Sequence, residues 1–392
     1  METGAKSQPK LANENPWYCL ATLHGEQRGT EIDHDLAARN RVAWNRWMAA
    51  GRLGPRLGDE QRADLLRRNL PKADLTELTP HQQREFYELF AARTGCARIL
   101  VPNPDDIVDF RHTQFDVPFS FCGFICVRQA NFDSARFVEQ ADFSEAIFFG
   151  DTYFPGTTFI KNAYFYLSTF CENASFNSAN FLENAFFINT RFDGITDFQK
   201  AAFTTLVPDF RGAKLHEGTE WEGIKWPEAP SGEAAREQVR RAAREQVRRY
   251  ERLKLEMDRL KKHEAEQMFF AKELRAAREI YPVLSMGRLL NFLYELLADY
   301  GQSILRPLLW LFLLFALGTV LFAVVPVLHG GGYISIDRAA GFSLASIFSF
   351  LQKREMASYS VQAQVIGAVE TIIGLILLFL LGLALRNKFR MK

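Results

Sequence analysis

Very little in the sequence marks a reaction site. Its 392 residues hold five cysteines, Cys19, Cys96, Cys122, Cys126 and Cys171. They are odd in number and scattered, which excludes the dense, even disulfide framework of a small secreted domain and implies a reducing environment. The first twenty residues have no apolar run of signal-peptide length, which adds to that expectation. None of the seven histidines has a second His or Cys at metal-ligand spacing. Charge of one sign is also missing: 47 basic residues face 46 acidic ones, which disfavours a general electrostatic grip on nucleic acid. Gly330-Gly331-Gly332 lacks the Lys-Ser/Thr of a phosphate loop, and no nucleophile elbow or dinucleotide fingerprint occurs. The expectation is a non-enzyme with no catalytic, cofactor or metal residues.

What the sequence does have is phenylalanine. Of its 35 Phe, 22 fall between residues 101 and 210. Fourteen form a ladder: Phe132, Phe137, Phe143, Phe148, Phe154, Phe159, Phe165, Phe170, Phe176, Phe181, Phe187, Phe192, Phe198 and Phe203. The steps alternate five and six without a miss, and an Ala, Ser or Thr stands two residues before each Phe. Two residues apart on an extended segment point the same way, so each pair faces inward while the polar residue between them faces out. A step of five or six then turns a corner, and stacked coils put Phe upon Phe in one interior column. The ladder continues outward with decay, through Phe110, Phe115, Phe121 and Cys126 on one side. On the other it runs through Phe210, Leu215, Trp221 and Trp226 after a one-residue insertion near Val207 and Pro208. Cys126 is thereby expected as a packed thiol.

The units Ala130-Asn131-Phe132, Ala141-Asp142-Phe143 and Ala179-Asn180-Phe181 resemble the pentapeptide-repeat family. The resemblance covers about residues 106–228 and implies a right-handed quadrilateral β-helix. Strict pentapeptides step by five, whereas alternate steps here are six, so four faces would consume 22 residues per coil. A flat two-faced coil of 11 is the alternative. Asn15-Pro16-Trp17-Tyr18, the stretch from Asn40 to Trp47, residues 250–257, Phe269-Phe270 and residues 383–392 resemble bacterial members of that family with a C-terminal two-span hairpin. That group brings no activity to transfer.

Some outward positions of the ladder are apolar. Phe149, Ile160, Cys171 and Leu182 recur every eleven residues, and Tyr153, Tyr164 and Phe186 form a second set. Such a column either packs under the chain's own helices or docks a partner. Phe149, Tyr153, Ile160, Tyr164, Leu182 and Phe186 are the candidate docking surface.

Two apolar stretches end the chain. Residues 307–328 carry no charge, and residues 365–385 carry only Glu370. A helix of 22 residues is about 33 Å long, enough for a hydrocarbon core of about 30 Å. Basic residues outnumber those of the intervening loop at the outer ends of the pair, which predicts both termini in the cytoplasm of a bacterial inner (cytoplasmic) membrane. Glu370 is either a functional intramembrane group or a carboxylate reaching the interface beside Gln362 and Gln364. Gly367, Thr371, Gly374 and Gly382 share one side of that helix and allow close approach, by the first span or by a second copy. Glu370, Gly367, Thr371 and Gly374 are the candidate membrane site. The uncharged residues 341–352 are too short to cross and should be re-entrant or interfacial.

Residues 1–14 read as a disordered tail and 15–105 as a small helical cap, with segments near 31–50, 58–70 and 81–94. Residues 233–303 read as an amphipathic helical linker and interfacial helix, and 304–392 as the membrane hairpin. The first part of the linker duplicates AAREQVRR at 234 and 242. The expected partners are membrane lipid and either another protein or a second copy, with no small-molecule substrate and nucleic acid disfavoured. Three functions follow in order: a membrane-anchored interaction scaffold, an oligomeric two-span channel gated by the repeat, and a DNA-mimicking topoisomerase inhibitor. The last is weakened by 11 acidic against 6 basic residues over 108–203, a modest net −5.

Overall fold

The computed structural model describes residues 10–50, 76, 78–95, 99–228, 236–328, 334–348 and 361–390. The chain divides into two compact units, Met1–Glu228 and Ala229–Lys392.

The first unit is a four-sided β-solenoid. Strands of two residues, and one of three, stack in parallel into four sheets of six, five, four and four strands. The register is 22 residues per coil: Ala130 pairs with Thr152 and Thr152 with Ala174 on one face, Phe137 with Phe159 and Phe159 with Phe181 on another. The alternation of five and six therefore closes four faces, and the flat 11-residue coil is excluded. At the C-terminal end the insertion lengthens one coil to 23, with Phe186 opposite Asp209 and Asp197 opposite Glu220.

All fourteen ladder Phe are buried, and so is the small residue before each of them. The rings form four columns, one per face, not the single column that the sequence suggested. One column runs Phe110, Phe132, Phe154, Phe176, Phe198, Trp221 with ring centroids 4.7 to 5.1 Å apart and nearly parallel planes. Rings of opposite columns meet edge to face across the interior, as Phe132 and Phe143 do at 87°. Both geometries suit the ring quadrupole, so every Phe has favourable neighbours above and beside it. Only small residues fit next to such rings. Where the small residue is Thr, its buried hydroxyl has a carbonyl to donate to: Thr157 Oγ1 reaches Phe132 O and Thr190 Oγ1 reaches Phe165 O, both at 2.6 Å.

The two step lengths are two kinds of corner. In each five-residue step the second residue after the Phe takes a left-handed conformation. His112, Ser134, Glu145, Leu167, Ser178, Asn189 and Lys200 do so with φ of 55–57°, and Gly123, Gly156, Gly212 and Gly223 stand at equivalent corners. The six-residue corners turn without positive φ and link polar side chains of successive coils instead. Asn184 Nδ2 donates to Asn162 Oδ1, and Asn173 Nδ2 to Asp151 Oδ1, both at 3.0 Å.

The open edge of the first coil is covered by the chain before it. Lys10–Leu11 pairs in parallel with Thr113 and Gln114, becoming the sixth strand of its sheet. The expected disordered tail to residue 14 is thus corrected: residues 10–14 are ordered, because the edge strand offers them a ladder to join. Helix α1 (Pro16–Ala21) starts at Asn15, which accepts from Trp17 N and donates to Asp109 O and to Thr113 Oγ1. Helix α2 (His34–Ala50) supplies Trp44, whose Nε1 donates to Ile125 O, and Asn45. The buried Asn45 amide accepts from Ile125 N at 2.9 Å and donates to Gly123 O at 3.0 Å. One side chain so replaces the strand that a preceding coil would supply. Helix α3 (Pro80–Thr94) opens with a capping box between Thr79 and Gln82. The segment expected near 58–70 lies outside the described residues.

The second unit is helical. Helices α4 (Arg236–Arg259) and α5 (His263–Arg278) form an antiparallel hairpin. Ala243, Gln246, Tyr250, Leu253 and Met257 give α4 its buried stripe at spacings of three and four, and Lys254 pairs with Glu273 at 2.6 Å. Helix α6 (Met286–Ala298) follows, with Leu289, Leu290, Phe292 and Leu296 exposed. Asp299, Tyr300 and Gly301 all have positive φ and turn the chain into α7 (Leu305–Leu328). Charges lock this joint. Arg275 donates to Glu295 at 2.8 Å and to Asp299 at 2.7 Å, and Arg278 pairs with Glu295. Burial pushes the Glu295 carboxyl up, but the two guanidiniums outweigh it and hold it below the ordinary carboxylate range. Helices α8 (Ile336–Ile347) and α9 (Val361–Arg390) complete the unit.

Two changes test this account. Asn45→Ala leaves the Ile125 N–H and the Gly123 carbonyl buried without partners, so equilibrium denaturation should show a loss of about 2–4 kcal/mol. Leu167→Gly removes both an exposed apolar side chain and the left-handed penalty. It should raise stability by about 0.5–1 kcal/mol, whereas the same change at a six-residue corner should not.

Candidate functional site

Of the six candidate docking residues, no single face holds all. A coil of 22 splits every 11-residue series between opposite sides. Phe149 and Cys171 lie on one face, packed with Val127 over Ile125 and Ile147, while Ile160 and Leu182 lie on the opposite face. Tyr153 shares its face with Asn131 and Ser175, opposite to Tyr164 and Phe186. The continuous column that the sequence suggested is corrected on this geometry.

The structure assembles one aromatic cluster instead. The rings of Tyr164 and Phe186 stack at 5.3 Å with planes 4° apart, and Tyr166 stands 5.6 Å from each. Tyr164 and Phe186 occupy the outward position before a ladder Phe, and Tyr166 the outward position after one. All three are half-buried. Asp142 on the neighbouring coil pairs with Tyr164, and Asp209, bound to Arg211, bridges to Phe186 on the other side. Burial and the nearby Tyr164 push the Tyr166 hydroxyl above its ordinary value. Tyr166 was missed because the residues 11 before and after it, Pro155 and Asn177, place it in no recurring apolar series.

Helices α7 and α9 are long and apolar enough to cross a membrane. Only 11% and 28% of their apolar windows are buried. A soluble core helix of this length would be hidden almost throughout. Their buried sides meet each other and α8. Residues 341–347 of the stretch expected as re-entrant or interfacial belong to a helix, Ile336–Ile347, that buries Ala339, Ser343, Ser346 and Ile347 against both. Residues 349–352 lie outside the described residues.

Three of the four residues of the candidate membrane site make contact here. Thr371 Oγ1 donates to Ser346 O at 2.9 Å, and the Ile347 backbone comes within 3.1 Å of where a Cβ on Gly374 would stand. Gly367 is buried one turn earlier, and its carbonyl, 2.8 Å away, is the alternative acceptor for the same Thr371 hydroxyl. The close approach at Thr371 and Gly374 is to α8 of the same chain. Gly382 does not join them: it is exposed and nothing lies within 4 Å of its missing side chain.

Glu370 does not reach outward to Gln362 and Gln364. It is 3% exposed, and its Oε1 contacts the Ser343 hydroxyl of α8. That hydroxyl also lies 3.1 Å from the Phe315 carbonyl of α7. Gly318, one turn along α7, makes the space: a methyl group there would stand 2.6 Å from Ser343 Oγ and 2.7 Å from Glu370 Cδ. The sequence marked Glu370 by its charge, but Gly318 and Ser343 carried no signal before the helices were placed.

At the turn between α4 and α5, one ligand atom each from Asp258, His263 and Glu266 comes within 4.8 Å of the others. His263 Nδ1 and Glu266 Oε2 are 3.1 Å apart as an ordinary side-chain pair. Cys126 is fully buried in its ladder position, where burial pushes its thiol well above the ordinary value.

Gly318→Val should break the three-helix packing at Glu370. We expect thermal unfolding in detergent, followed by tryptophan or helical signal, to show a loss of about 1–3 kcal/mol, while Gly382→Val should leave it unchanged.

No protein-family model matches the chain, and neither a curated protein nor a solved structure matches it.

Proposed function

We propose that the protein is a membrane-anchored, non-enzymatic interaction scaffold of the pentapeptide-repeat kind, held on the cytoplasmic face of a bacterial inner membrane with both termini inside. The observation that carries this reading is the outward cluster of Tyr164, Tyr166 and Phe186 on a coil whose interior is packed with stacked rings. Rigid aromatic side chains lose little entropy on binding and bring large contact areas, which makes them recurrent anchors of protein interfaces. Half-buried Asp142 and the exposed Arg211, held by the buried Asp209, give the cluster a polar surround that can set the orientation of a partner. α7 and α9 serve as the anchor, because their exposed apolar sides have no favourable environment in water. The small residues of α9 are engaged by α8, which supports a self-contained anchor over subunits joined through that face.

Two measurements test the proposal. The protein should remain in the membrane pellet after alkaline carbonate extraction; release into the supernatant would refute the anchor. Proximity labelling from the repeat should retrieve a discrete protein neighbour that is lost with Tyr164→Asp plus Tyr166→Asp and retained with Ile160→Asp, which lies on another face. Labelling of bulk membrane neighbours alone, identical in all three, would refute the scaffold.

A further inference from the structure

Ser343 Oγ lies within hydrogen-bonding reach of two oxygens, the Phe315 carbonyl at 3.1 Å and Glu370 Oε1. A hydroxyl has one proton and can donate it in one direction. The Phe315 carbonyl has none to give, and it already accepts from Thr319 Oγ1 at 2.8 Å. If the carboxyl carries the second proton, both contacts are hydrogen bonds: Glu370 O–H donates to Ser343 Oγ, and Ser343 O–H donates to Phe315 O. The other carboxyl oxygen agrees. Glu370 Oε2 is buried without any hydrogen-bond partner. An unpartnered neutral carbonyl costs far less than an unpartnered carboxylate oxygen.

Among the described residues the surroundings offer no counter-charge. From α7 the site is faced by Phe315, Gly318 and Thr319, and from α8 by Ser343 and Ser346. On α9 Gly367, Thr371 and Gly374 line the same side. The charged residues of these helices lie at their ends: Arg306 opens α7, Asp337 and Arg338 are exposed in the first turn of α8, and Arg386, Lys388 and Arg390 close α9.

We propose that Glu370 is a proton-binding site within the apolar hairpin, occupied as the neutral acid, and that its proton ties α8 to α7 and α9. Loss of the proton leaves a buried carboxylate facing one hydroxyl, and α8 then unseats. The site goes beyond the scaffold reading and stands or falls separately from it, since it rests on the three helices alone.

Infrared spectroscopy of the full chain in lipid vesicles tests the proton directly. Wild type at neutral pH should show a protonated-carboxyl C=O band that is lost in Glu370→Gln. A wild type and variant that differ only in carboxylate bands would overturn the proposal. As a second readout, dicyclohexylcarbodiimide, an apolar reagent that adds a carboxylic O–H across its N=C bond, should form one adduct per chain at Glu370. Absence of that adduct, or its suppression by sodium or potassium at constant pH, would overturn it, the latter in favour of a cation site. Amide exchange over Ile336–Ile347 reads the seating of α8. At alkaline pH it should be faster in wild type than in Glu370→Gln, whose amide keeps a donor to Ser343; equal exchange in the two proteins would overturn the coupling.

Discussion

Stacking of phenylalanine rings at a repeat of 22 residues is the constraint on which the rest of the first unit depends. A two-residue strand is far too short to hold a sheet together by its own hydrogen bonds. Each coil is fixed by four rings that lie on the rings of the coil before it, about 5 Å away, close to the 4.8 Å spacing that parallel backbone ladders require. Ring thickness and strand spacing agree, so the side-chain column and the backbone ladder reinforce each other. The small residue two positions earlier follows from the same geometry, since the corner beside a ring has room for Ala, Ser or Thr and little more.

A solenoid built this way has two open ends, and the chain closes the first with several unlike devices. A segment joins as a strand, an indole N–H meets a carbonyl, and one asparagine amide stands in for a whole strand. The common feature is that each supplies hydrogen-bonding groups at the positions a preceding coil would have occupied. Trp221 and Trp226 continue two columns at the opposite end, where larger rings cover more of the interior than Phe would.

The second unit solves a different problem. Its longest helices are apolar around most of their circumference, so polarity is confined to a narrow seam where α7, α8 and α9 touch. Glycines at 318 and 374 thin that seam until a serine hydroxyl, a threonine hydroxyl and a carboxyl can all find partners. The polar groups specify how the helices register, because any other rotation would bury Glu370 against hydrocarbon. The charged joint of Arg275, Arg278, Glu295 and Asp299 plays a comparable part where three left-handed residues leave the backbone in an otherwise unfavoured path.

The sequence by itself determined the repeat, its inward residues, its insertion and the two long apolar helices, because a strict period and an uncharged run are one-dimensional properties. Which faces the outward residues share was decided only when the coil closed at 22, since an 11-residue spacing is satisfied by opposite sides of a four-sided coil as well as by one column. The left-handed corners were legible only at glycines; Leu167 and Glu145 occupy them because the stacked rings on either side leave the chain no other path. Likewise Asn45, Gly318 and Ser343 gained their roles from neighbours dozens of residues away, brought close by packing that no local pattern encodes.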